Sequence, residues 1–191
     1  MRPGRRSSTT PGRDLAESLD VAQRLIQAAI SASVPPDDYE VLGDRAASSD
    51  PHDDSPPVRW ARNVTQRVRD FNVTLERRAQ LGAAWAGFFH NYDVLLTPVT
   101  PTTAFVHTPG DVDEREIEVD GVRRPYADQF AWLQSVGGVH LPATVAPAGL
   151  AGSGRPVGVQ VVGPLFGDRT TIAFAGLLGE LTGGRAPPPG Y

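Results

Sequence analysis

The chain has 191 residues, a length that fits one domain or part of a larger one. Its composition, 40% hydrophobic and 21% charged, is that of an ordinary globular protein, and a net charge of −4 argues against a nucleic-acid partner, which would ask for a basic face. The absence of cysteine excludes disulfides, thiolate nucleophiles and cysteine-ligated zinc; all 18 basic side chains are arginines, so any mechanism needing a lysine amine is excluded as well.

Residues 1–12 are rich in Pro, Gly, Ser, Thr and Arg without apolar period and read as a disordered leader, followed by one unit over 13–191. No apolar segment follows this basic start, so it is no secretory signal, and no run nears the roughly 20 residues that span a bilayer. No membrane partner is expected, and a cytoplasmic location is compatible with the lack of cysteine. Asp14 and Glu17 suggest a capping pair. Leu15, Leu19, Ala22, Ile26 and Ile30 then share one helix face, and Pro35-Pro36 end that helix. Residues 35–57, acidic and Pro-rich, read as a surface loop. Val58 to Asn91 is free of proline, and its apolar steps of three and four predict one long helix or two, broken near Asn72 or Gly82.

"YDVLLTP" reads as a buried strand. "REIEVDGVRRPY" alternates around Asp120-Gly121 and predicts a hairpin, because Gly tolerates the positive φ of a tight turn. Residues 126–136 read as a short amphipathic helix. "ATVAPAG" and "VGVQVVGP" are strand-like runs joined by the turn "LAGSGR". Asp168 is expected to cap a last helix with Ile172, Ala175, Leu178 and Leu181 inward and Gly183 at its stop position.

The chain's own chemistry is thin. His52, Asp53 and Asp54 lack further ligands at metal spacing and read as a solvated loop. Gly152-Ser153-Gly154 is followed by a strand-like run, not a helix, so it is a turn and not a phosphate loop. No G-x-S-x-G elbow is present. Ser135, His140 and Asp128 can be drawn as a triad, but triads are defined by geometry rather than by sequence proximity. His90 and His107 have no evident partners. Carboxylates come in solvated runs, Asp37-Asp38 and Glu114, Glu116, Glu118. Neither a cofactor nor a metal is expected.

Four stretches in order, "YDVLLTPVTPTTAF", "IEVDGVRRPYADQFAWL", "LPATVAPAGLAGSGRPVGVQVVGPLFGDRT" and a closing "PPPGY", resemble the C-terminal part of the amidase signature family. The upstream "DDSPPVRWARNVTQRVRDFNVTLERRAQLGAAWAGFF" is similar to the helical segment before it. The resemblance implies an α/β fold: part of a mixed twisted sheet flanked by helices. It implies hydrolysis of carbon–nitrogen amide bonds by a Ser–cis-Ser–Lys set, the lysine activating the nucleophilic serine through the bridging one. Those serines belong to a Gly/Ser-rich run upstream of the matched part. The pairs Ser7-Ser8 and Ser48-Ser49 are not embedded in glycines, and no lysine is present, so no catalytic residue carries over. Tyr126, Gln129 and Trp132 fall where the resemblance implies substrate-facing side chains, with plain packing the alternative for each. Three readings stay open: an inactive C-terminal segment, one half of a split amidase completed by an N-terminal half, and a non-catalytic binding module. Self-association through an exposed sheet is a further expectation.

Overall fold

The computed structural model describes residues 12–110 and 114–184, with side chains from residue 15 onward. Residues 1–11 of the leader and the closing "PPPGY" lie outside the described residues, and so does the side chain of the expected Asp14 cap. Helix α1 covers Gly12–Ile30 and ends in a 3-10 turn, Ser31–Ser33. Pro35-Pro36 do close this segment, but Pro36 also opens a second helix, α2 (Pro36–Ser48). The expected loop at 35–57 is therefore helical over most of its length. A proline at the first helical position gives up only an N–H that has no intrahelical partner, and Asp37 and Asp38 suit the positive end of the helix dipole.

The proline-free stretch forms two helices, α3 (Pro56–Val64) and α4 (Val68–Phe89). The break falls at Thr65–Arg67 rather than at Asn72 or Gly82. There the Thr65 hydroxyl donates to the Ala61 carbonyl at 2.7 Å, and the Gln66 amide donates to the Arg24 carbonyl of α1 at 2.9 Å. Side-chain bonds to backbone thus compete with continuation of the helix.

Strand β1 (Leu95–Pro98) follows, then the hairpin β2 (Glu116–Val119) and β3 (Val122–Pro125). Asp120 and Gly121 both have positive φ, 52° and 77°, as the expected tight turn requires. The predicted helix at 126–136 begins instead as a 3-10 stretch, Tyr126–Phe130, and becomes α5 at Ala131–Gly137. Strands β4 (Ala143–Leu150) and β5 (Pro156–Val162) and helix α6 (Asp168–Thr182) complete the order. Gly154, at φ 75°, donates to the Ala151 carbonyl in the turn between the two strands. Gly183 stops α6 in the left-handed region as expected, but Gly167 is the N-cap and Asp168 makes no side-chain cap.

β5 lies between β1 and β4, antiparallel to both, so the sheet order is β1-β5-β4. Leu95, Val162 and Ala143 are in register, and so are Leu96, Val161 and Thr144. The pleat sends these two rows to opposite faces. Val162 and Leu95 join a core with Val21 of α1, Leu81 and Trp85 of α4, and Val136 of α5. On the other face, Thr144 bonds Thr171 of α6 through their hydroxyls at 2.8 Å. The architecture is α/β, with helices on both faces of a small antiparallel sheet. β1 and β4 are its outer strands, and among the described residues neither has a further neighbour.

Two helix faces differ from the pattern read in the sequence. α1 buries Ser18, Val21 and Ala22, while Ile26 and Ile30 are exposed. The cause is on the neighbouring helices: Trp85 donates its indole N–H to the Ser18 hydroxyl at 3.2 Å, and a Cβ on Gly138 would sit 2.3 Å from that of Ala22. In α6 Ile172 and Leu181 are exposed, 61% and 83%, and Thr171 is the buried residue. Its bond to Thr144 rotates the helix toward β4.

Candidate functional site

Tyr126, Gln129 and Trp132 are three residues apart. In the 3-10 stretch such positions stack on one side, and the run into α5 keeps them neighbours. All three are half-buried. The Tyr126 ring meets Phe105 edge-on at 6.2 Å and Phe130 at 6.2 Å, and the Arg115 guanidinium carbon is 5.7 Å from its centroid. The Tyr126 backbone N–H donates to the Arg115 carbonyl at 3.0 Å, which ties the hairpin to this aromatic group. The Gln129 side-chain nitrogen is buried and makes no hydrogen bond among the described residues. A buried amide donor without a partner is costly, about 1–3 kcal/mol, so its surroundings invite an acceptor.

The other candidates are engaged elsewhere. Ser135 is buried and donates to the Ala131 carbonyl at 2.7 Å. Asp128 faces Arg124 at 3.9 Å, and His140 pairs with Arg78. The triad drawn from sequence is thus three side chains with three different partners. Ser48 and Ser49 donate to the carbonyls of Asp44 and Arg45 at 2.8 and 2.7 Å, so the pair finishes α2. Around His52, the Asp50 carboxylate accepts from the His52 N–H and the Asp53 carboxylate from the Ser55 N–H, each at 2.8 Å. Arg62 donates to the Asp53 and Asp50 carbonyls. The Ser55 hydroxyl and N–H, and then the Arg62 charge, hold the Asp53 carboxyl below its usual range. No group of three or more metal-ligating side chains is found among the described residues.

Reasoning from sequence missed one pairing: Arg78 of α4 and His140 lie 62 positions apart, yet the guanidinium is 3.0 Å from His140 Nε2. It also missed Gln160 on β5, only 1% exposed, which donates to the Thr97 hydroxyl at 3.1 Å. Only an alternating run that includes a glutamine hinted at the latter.

The sequence pattern of the amidase family matches residues 46–172, two-thirds of the chain. The chain belongs to the amidase family. Among curated relatives, the A subunit of glutamyl-tRNA(Gln) amidotransferase from Gluconobacter oxydans is 41% identical over 85 residues, covering 44% of this chain and 15% of the relative. Its counterpart in a Chelativorans species is 33% identical over 118 residues, covering 62% and 21%. Among solved structures, an amidase superposes with a TM-score of 0.59 at 25% identity over 88% of this chain and 36% of its own. A component of a vestigial protein complex, tied to the origins of an s-triazine catabolic enzyme, superposes at 0.60 and 21% identity over 92% and 35%. This amidase chain therefore spans about a third of those folds, and its matches cover about a fifth or less of those curated relatives. No described helix is long and apolar enough to cross a membrane.

Proposed function

We propose that this chain is the C-terminal segment, residues 13–191, of an amide carbon–nitrogen hydrolase, and that by itself it does not cleave amides. The observation that carries this reading is the complete absence of lysine from an amidase-family sequence. A Ser–cis-Ser–Lys mechanism has to draw its proton-accepting amine from residues outside these 191. In this reading Tyr126, Gln129 and Trp132 form one wall of the amide pocket. The Gln129 nitrogen, without a partner among the described residues, is a donor suited to a substrate carbonyl, and the Tyr126 and Trp132 rings supply apolar area. The chemistry needs no cofactor, and the setting is cytoplasmic.

A second reading, a split amidase completed by an N-terminal half, is favoured by the edges of β1 and β4, which have no neighbour among the described residues. Unpaired strand edges present rows of N–H and C=O groups that seek partners. The experiment is an ammonia-release assay on a panel of small amides. The purified chain is expected to give no turnover above buffer; activity that co-purifies with it through successive columns would overturn the first proposal. Co-expression with the N-terminal portion of an amidase tests the second. A stable complex with restored turnover supports it, and failure to co-purify sinks it.

A further inference from the structure

A cleft of about 480 Å³ opens between the second half of α4, the turn from α5 to β4 and the turn from β5 to α6. It shares no residue with Tyr126, Gln129 and Trp132. Its walls are largely apolar: Phe89 on α4, Leu141 at the first turn, and Pro164 and Leu165 at the second. Arg78, His90 and His140 are the titratable groups that line it. None of its eleven lining residues is acidic, although the chain as a whole carries 22 Asp and Glu against 18 basic residues.

Arg78 is half-buried and makes no ion pair among the described residues. Its partner is not a carboxylate: the guanidinium is always charged and only donates, so in this contact His140 Nε2 is the acceptor. The bond to His140 holds the arginine at the cleft without neutralising it. The backbone is special at both turns. His140 and Phe166 each have φ of 62°, and among described non-glycine residues only Asp120 of the hairpin, at 52°, also has positive φ. Side chains rarely adopt that conformation. At the first turn it is held by bonds from the His140 N–H to the Gly137 carbonyl at 3.0 Å and from the Leu141 N–H to the Val136 carbonyl at 3.1 Å.

An apolar cavity of several hundred Å³ with a few convergent polar groups is the usual form of a small-molecule site. A fixed cation with its charge unspent selects an anion, and guanidinium geometry suits the two oxygens of a carboxylate. We propose that this cleft binds a small organic carboxylate, the carboxylate on Arg78 and the apolar body against Phe89, Leu141, Pro164 and Leu165. The proposal does not depend on the chain being a segment of a larger hydrolase.

The test is calorimetric titration of the full chain with benzoate, with benzamide as its uncharged counterpart and inorganic phosphate as an anion lacking an apolar body. Benzoate is expected to bind saturably, with benzamide and phosphate at least about tenfold weaker. Arg78→Gln should weaken benzoate about tenfold, as loss of a hydrogen bond to a charged group does, and leave benzamide unchanged. Gly82→Leu supplies a variant that keeps its fold. A Cβ at Gly82 meets nothing within 4 Å, and leucine favours the helix, so its side chain enters the cleft and should abolish benzoate binding with unchanged circular dichroism. No saturable benzoate binding, equal binding of phosphate or benzamide, or benzoate binding indifferent to both substitutions would each overturn the proposal. Loss of benzoate binding only when an N-terminal amidase half is added would uphold the site and show that the half covers it.

Discussion

At the scale of single residues, the molecule's polar groups are mostly spent on holding helices in place. The Ser18 hydroxyl is fully buried where it receives the Trp85 indole N–H. Removing it strands a buried donor, so Ser18→Ala is expected to lower unfolding free energy by about 1–3 kcal/mol, read from urea denaturation followed by tryptophan fluorescence. Asp53 gives a pH test. Its carboxyl is held low by the Ser55 hydroxyl and N–H, then by Arg62. A carboxyl depressed in the folded state contributes fully above its unfolded pKa, about 3.9. That contribution is lost as pH falls from there through the lower folded value. An NMR titration should place Asp53 below the usual aspartate range, and Ser55→Ala should move its midpoint upward; an unchanged midpoint would contradict the bonding described.

At the scale of elements, two glycines predict opposite signs. Gly87 lies in the last turn of α4 and a Cβ there meets nothing, so Gly87→Ala should stabilise by at most roughly 0.5–1 kcal/mol through helix propensity. Gly138 follows α5, where a Cβ would meet Ala22 of α1 at 2.3 Å and the Gln134 carbonyl at 2.9 Å. Gly138→Ala forces the helices apart and should cost about 1–3 kcal/mol. Thermal melts of the two variants side by side check both signs. The elements also mark how far local reading reaches. The β2–β3 hairpin is legible because Asp120-Gly121 makes its turn with residues adjacent in the chain. Helix α2 is not, since Pro35-Pro36 and the acidic pair after them signal a stop and a start equally well. The α3–α4 break has neither Gly nor Pro to announce it; it depends on Gln66 reaching α1.

For the whole molecule, the open question is what lies beyond the edges of the three-stranded sheet. Leu96 on β1 and Val145 on β4 are 46% and 52% exposed on these outer strands. Edges of this kind pair with other chains unless charge blocks them. The chain is expected to self-associate as its concentration rises in sedimentation velocity, and Val145→Lys should shift it toward monomer. A wild-type chain that stays monomeric would argue that the edges are already protected. Unfolding followed at once by circular dichroism and tryptophan fluorescence addresses cooperativity. Trp60, Trp85 and Trp132 are spread along the chain, so coincident transitions would mark a self-sufficient unit and separated ones a partial fold.

Sequence alone determined the features that neighbouring residues settle among themselves: the hairpin, the strand-forming runs of β4 and β5 and their turn, the glycine stop of α6, the family resemblance, and the want of lysine and cysteine. Tertiary structure decided which face each helix buries and which distant groups meet. The helical period places Leu15 and Ala22 inward, as they are, but it fails for Ile26 and Ile30, because Trp85 and Gly138 set the rotation of α1 from outside it. Among the described residues, the Gln129 nitrogen without a partner, the unpaired edges of β1 and β4, and the Arg78–His140 pair have the same origin. Each depends on contacts between segments far apart in the chain, and those contacts form only when burial of the core brings the segments together.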